Sequence, residues 1–241
     1  MLQYRRFCLS LFVVFVLYWA ALAVEPLDRS DWLLENILTL IFVPLIAASF
    51  WVLPLSRVSY ALIFLFLCLH SLGAHYTYGL VPYDAWSEAL TGTRLNAVMG
   101  WERNHFDRLV HFCYGLLLAY PVRELFFRVA NARGFWSYFL PLDVVMSTSM
   151  VFELIEWAVA VRVGGDLGMA YLGTQGDVWD AHKDMALAST GALIAMLLTM
   201  AINRRWQHDF AREWQTSLRV KITEPLGEWE IARMLRRRRR R

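Results

Sequence analysis

The strongest constraint on what this chain can fold into is a succession of apolar stretches, each close to the roughly 20 residues a helix needs to cross a bilayer core. They run Phe7–Val24, Ile37–Leu55, Val58–Leu80, Phe106–Val122, Phe135–Val161 and Asp180–Ile202. Pro44, Pro54, Pro121 and Pro141 fall in or near them, which bilayer helices tolerate better than soluble ones do. A chain that is 58% hydrophobic and 19% charged departs from globular composition in the same direction and disfavours a soluble enzyme, a disordered chain or a secreted disulfide scaffold. Cys8, Cys68 and Cys113 each sit inside an apolar run and form no zinc-type spacing. The expected fold is all-α: a polytopic integral membrane bundle of about six transmembrane helices over residues 1–202, with a cytoplasmic tail over 203–241.

Orientation follows from Lys and Arg in short loops. Arg5 and Arg6 precede the first span, and alternation puts Arg57, then Arg123, Arg128 and Arg133, then the tail on the same side. The opposite loops hold fewer positive charges: Arg29, then Arg94 and Arg103, then Arg162. Both termini are therefore expected in the cytoplasm of a bacterial plasma (inner) membrane. Arg5-Arg6, the apolar stretch and Ala21-Leu22-Ala23 also fit a cleaved secretory signal, but the stretch is long for one, and a retained helix is the preferred reading. In the tail, Trp206, Phe210, Trp214 and Leu218 recur every four residues, the pattern of an amphipathic helix continuing the last span along the leaflet. Pro225 and Gly227 interrupt that pattern, and Arg236–Arg241 would attract anionic lipid or simply fix topology. Twelve of the 24 Lys and Arg lie beyond residue 202, so the net charge of +3 belongs to this end and implies no nucleic-acid partner.

Ionisable residues at bilayer depth cost roughly 2.5–3.5 kcal/mol each on insertion scales and mark functional candidates. Here the topology gathers them at the outer level. His70 and His75 end the third span, His105, Asp107, Arg108 and His111 open the fourth, Glu153 and Glu156 lie in the outer half of the fifth, and Asp177, Asp180, His182 and Asp184 open the sixth. Asp107 and His111 share a helix face at i, i+4, as do Glu153 and Glu156 at i, i+3. Below Asp180 and Asp184 the same face continues as Ala188 and Gly191, which permits close helix approach. Carboxylates and imidazoles on facing helices are how bundle metal sites are built, and such ligands suit Mg, Mn, Zn or Fe. Glu153, Glu156, Asp184, His111, Asp107 and Asp177 are accordingly candidates to hold a divalent metal, with Asp180 or His105 as general base or acid and Arg108 stabilising negative charge.

Each candidate also has a purely architectural reading. Asn104 and Asp177 stand where helix caps belong, so Asp107, Asp177 and Asp180 can serve helix ends. Glu153, Glu156, Asp184 and His111 sit too deep for that; for them the alternative is an ion-pair network in which Arg108 neutralises the glutamates. His70 suits a satisfied core histidine, and Glu124 and Asp143 suit pairing with Arg123 and Arg128. Five glycines between Gly164 and Gly176 predict a tight or re-entrant turn that brings Thr174 and Gln175 near the acids, and the loop from Val81 to Asn104, with Tyr83, Trp86 and Trp101, can form a lid.

Three segments carry a family resemblance: Asn104-His105-Phe106-Asp107-Arg108-Leu109-Val110-His111-Phe112, Phe152-Glu153-Leu154-Ile155-Glu156-Trp157, and Leu172-Gly173-Thr174-Gln175-Gly176-Asp177-Val178-Trp179-Asp180 with Asp184. They resemble the YjdF-like family of bacterial inner-membrane proteins over most of the chain from the second span to the sixth, leaving out the Arg-rich tail. The resemblance implies a plasma-membrane location and a fold, and no reaction. A fainter similarity is to VanZ-like membrane proteins, which carry Asp-Lys-x-x-His-Phe, Glu-x-x-Gln and Asp-x-x-x-Asn motifs on three helices. Asp107, Arg108, His111 and Phe112 fit the first, Glu153 the second with Glu156 replacing Gln, and Asp180 the third with Asp184 replacing Asn. That family's envelope phenotypes point toward lipid chemistry, while the two replacements make this site more acidic.

Three function classes follow. The first is metal-dependent hydrolysis or head-group transfer on a lipid or lipid-linked substrate; the second an ion-coupled transporter; the third a non-catalytic membrane protein whose polar network holds it together.

Overall fold

The computed structural model describes residues 2–221 and 225–238. Six long helices make the bundle: α1 (Leu2–Leu22), α2 (Arg29–Ser49), α3 (Arg57–His75), α6 (Phe106–Val129), α7 (Trp136–Val163) and α9 (Asp180–Trp206). Between them lie α4 (Tyr83–Thr91), α5 (Leu95–Met99) and α8 (Gly165–Leu172), and after them α10 (Phe210–Ser217) and α11 (Leu226–Arg238). No strand occurs among the described residues. Side-chain caps start the second and third helices: Asp28 accepts from the amides of Ser30 and Asp31, and Ser56 from that of Ser59.

The long helices alternate in direction. Tyr4 bonds the carbonyl of Leu55, and His75 Nδ1 that of Leu22, so α1 runs parallel to α3. His70 Nε2 contacts the Glu35 carbonyl, which lies at the outer end of α2. Ser56 and Ser59 at the start of α3 meet Glu124 near the end of α6. Tyr114 meets Thr148, and Asn203 donates to the hydroxyl of Tyr138, so α7 runs against both α6 and α9. The start of α1 and the end of α9 therefore share one end of the bundle, as an even number of spans requires.

Five of these helices are apolar enough to cross a membrane on length and composition alone. The exception, α6, carries Asp107, Arg108, Arg123, Glu124 and Arg128 crowded toward its two ends, and it is enclosed by α3, α7 and α9. Around the outside, Leu40, Ile41, Leu45, Leu154, Trp157, Leu197 and Leu198 stand exposed. In water so wide an apolar surface would aggregate; against acyl chains it is the lipid-facing wall.

Several ends differ from their expected positions. The second span starts at Arg29 rather than Ile37, because Asp31, Glu35 and Asn36 are buried against the bundle. The third stops at His75: Thr77 and Tyr78 adopt left-handed backbone, and the Tyr78 ring folds back onto Gly73, where any Cβ would lie 2.6 Å from Cε1. The Val81–Asn104 segment is two short helices rather than a loop. In the tail, α9 ends at Trp206, and α10 is a separate helix. Its Phe210 and Trp214 pack on Tyr138, with Trp214 also against Phe135, while Trp206 and Leu218 stay exposed. Half of the amphipathic stripe thus docks on the base of the bundle instead of lying on the leaflet. Of the terminal arginine run, Arg239, Arg240 and Arg241 lie outside the described residues.

Candidate functional site

At the outer end, away from the termini, polar side chains form two layers. The upper layer joins the loop before α6 to the start of α9. Arg103 Nη1 lies 2.7 Å from Asp180 Oδ1 and donates to the Thr174 carbonyl at 2.9 Å. Arg108 bonds Asp177 and reaches Asp180 Oδ1 at 3.3 Å, and Lys183 Nζ is 2.6 Å from Asp177. Asp177 also caps the chain at the amide of Trp179. Lys183, the Trp179 amide and Arg108 together hold the Asp177 carboxyl well below the usual carboxylate range. His105 stacks on Trp101 at 4.4 Å, with Arg108 Nη1 3.4 Å from its Nδ1. Burial, then Arg108 and Arg103, lower its pKa, which favours the neutral imidazole. Both carboxylates of the upper layer are thus paired, by three cations, and the layer ties two helix starts together. Gln175 fastens it further, through the backbone amide and carbonyl of Asn104.

The lower layer is different. Asp107 and His111 project from α6, Glu153 and Glu156 from α7, Asp184 from α9. His111 Nε2 lies 3.6 Å from Asp107 Oδ1 and 3.7 Å from Glu153 Oε1. One ligand atom each from Asp107, His111 and Asp184 fall within 4.8 Å of one another. Glu153 and Glu156, three residues apart on α7, add two more carboxyls to this layer, that of Glu156 buried. Asp31 and Glu35, one turn apart on α2, extend the acidic set, and Tyr171 of α8 closes it: burial, then Glu35 and Glu156, push its phenol upward. Among the described residues none of these six carboxyls forms an ion pair with Lys or Arg. Glu153 Oε1 and Asp184 Oδ1 are buried with no hydrogen-bond partner. Buried carboxylates without a compensating cation are among the costliest arrangements a fold can hold, so this layer needs protons or a metal to balance it.

The candidates named from sequence thus separate. Asp107, His111, Glu153, Glu156 and Asp184 come together below; Asp177, Asp180, Arg108 and His105 lie in the roof. Arg108 is engaged by Asp177 and Asp180, so it does not neutralise the glutamates. Thr174 and Gln175 bind Arg103 and Asn104 rather than the acids, although the turn still covers the site, with Gly173 beside Asp107. His70 is satisfied by Tyr78 and the Glu35 carbonyl. Glu124 pairs with Arg128 and caps α3, while Asp143 is exposed and Arg123 lies over the Tyr138 ring. Sequence reasoning missed Asp31, Glu35 and Arg103. An Asp at 28 followed by Asp31 and Glu35 at i, i+4 is a legible capped helix start, hidden because hydropathy moved the span inward.

The family of predicted membrane proteins DUF2238 matches residues 7–205, nearly the whole bundle. Inner membrane protein YjdF of Escherichia coli (strain K12) is 36% identical over 171 residues, covering 70% of this chain and 78% of that protein. No solved structure matches. The six alternating helices and these two likenesses agree: the chain is a multi-pass protein of the bacterial inner membrane and belongs to the DUF2238 family.

Proposed function

We propose that the lower layer is a divalent-metal centre and that the protein is a membrane-embedded hydrolase or head-group transferase acting on a lipid phosphate or a lipid-linked phosphate. The observation that carries the reading is the convergence of Asp107, His111 and Asp184 within 4.8 Å, with Glu153 adjacent and unpartnered carboxylate oxygens turned inward. Nitrogen and oxygen donors of this kind suit Mn, Fe, Zn or Mg, and a metal so held would polarise a phosphoryl oxygen or acidify a bound water. In this reading Asp107, His111, Glu153 and Asp184 hold the ion, and Glu156 accepts or returns a proton. Arg103 Nη2 and Arg108 Nε, buried donors left without partners in the roof, are the groups an anionic head group would take.

Transport is less well supported. Directly beneath the acids, Gly115 packs against Ala188 and Gly191 against Phe112, and Ala119, Val145, Ala192 and Met196 fill the inner half. Among the described residues no Asp, Glu, His, Lys or Arg lies within that packing, where the polar groups are hydroxyls such as that of Ser149.

The test is metal content. Purified protein loaded with Mn or Zn and desalted should retain close to one ion per chain by mass spectrometry. Asp184→Asn and His111→Ala should each lose it while still eluting as folded species. Retention unchanged in both variants, or no metal in the parent protein, would overturn the proposal.

A further inference from the structure

At the opposite end the first three helices form a second feature. Both α1 and α2 pack along α3, and near the outer end they meet, with the rings of Trp19 and Trp32 5.6 Å apart and Trp19 donating to Asn36 at 2.6 Å. Toward the termini they part. The gap, floored by α3, is a cavity of about 380 Å³ walled by Phe12 and Phe15, Ala47 and Phe50, Ile63 and Phe64. At its mouth Arg5 lies 5.8 Å from the Trp51 ring centroid, and outside the lining Arg57 lies 5.9 Å from the ring centroid of Phe7. Neither arginine forms an ion pair with an acid among the described residues.

We propose that this groove takes one acyl chain of an anionic phospholipid from the leaflet that holds the termini, with Arg5 receiving the phosphate. An apolar cavity of this size falls in the range of ligand sites, roughly 300–1,000 Å³, and holds no water well. The walls accept hydrocarbon, and the guanidinium of Arg5 at the mouth, with no acid paired to it, selects negative charge over a zwitterion, whose own cation it would repel. The other occupant that fits the walls is a helix of a second copy. Two-fold pairing there would bring Arg5, Arg6 and Arg57 of each chain toward their counterparts, and like charges at that depth oppose it.

The full chain, in nanodiscs of equimolar phosphatidylglycerol and phosphatidylcholine with identical acyl chains, is extracted into mild detergent and examined by native mass spectrometry. One retained phosphatidylglycerol per monomer is expected. Arg5→Gln, at an exposed position, should lower the phosphatidylglycerol-to-phosphatidylcholine ratio by about fivefold. Ala47→Trp, which fills the gap, should remove the bound lipid from a protein that still elutes as a monomer. Equal retention of the two lipids by the parent protein, retention unaffected by both substitutions, or a dimer that Ala47→Trp dissolves would each overturn the proposal.

Discussion

Substituting Gly115 by Ala tests the link between helix packing and the acidic layer. A Cβ built on Gly115 lies 1.8 Å from the carbonyl oxygen of Ala188 and 2.7 Å from the amide nitrogen of Ala192, where ordinary contact begins near 3.4 Å. Both obstacles are backbone, so no rotamer change relieves them, and α6 and α9 must part by more than an ångström. Overpacking of this kind typically costs about 1–3 kcal/mol, and a backbone obstacle belongs at the upper end. For a chain of this size that corresponds to a melting point lower by roughly 6–12 °C. Gly115 is one turn below His111 and Ala188 one turn below Asp184, so the same separation pulls Asp184 away from Asp107 and His111. Metal distances tolerate only about 0.2 Å, so the retained ion should be lost with it. The assay is a thermal melt in detergent run beside metal content, with Leu198→Ala, on the lipid-facing side of α9, as the control that leaves both nearly unchanged. A Gly115→Ala protein that melts and binds metal like its parent would refute the reasoning; a lower melting point with full metal retention would refute the claim that the site spans the α6–α9 seam.

Two further outcomes follow from the roof. Arg103→Gln removes one partner of the buried Asp180 and should cost about 3 kcal/mol in a melt. Arg94→Gln, which breaks the exposed pair with Glu88, should cost less than about 1 kcal/mol, and equal effects of the two would count against the roof as a structural element. Because the folded protein lowers the Asp177 pKa, the stability this carboxylate contributes is present above its ordinary value of roughly 4 and fades as pH falls through the lowered one. Melting points of parent and Asp177→Asn proteins should therefore differ most near neutral pH and converge in acid; a gap constant with pH would contradict this.

Much of the architecture is legible along the chain. Six apolar segments, charges biased to one side and small residues following Asp184 already imply alternating helices with acids at one level. Two ends, the start of α2 and the end of α6, extend past the apolar stretches for one reason: hydropathy counts a polar residue against a span whether or not the fold has a partner for it. Asp31 and Glu35 enter the bundle because α2 is capped at Asp28 and packs on α3 and α8. The last turns of α6 stay helical because Arg128 reaches Glu124 and the Pro54 carbonyl while Glu124 receives Ser56 and Ser59. Pro54, Ser56 and Ser59 belong to a different segment of the chain.

For the site the division is sharper. The spacing of Asp107 with His111 and of Glu153 with Glu156 is a local property of helical periodicity, which sets each pair on one helix face whatever packs against it. Which acids have cations is not local. Arg103, Arg108 and Lys183 could in principle have met any of the outer carboxylates; only the packing of the loop before α6 against the start of α9 sends them to Asp177 and Asp180 and leaves the lower layer uncompensated. Hydropathy and periodicity are sums along one helix, whereas charge compensation depends on through-space distances between helices, and those distances exist only once the bundle has closed.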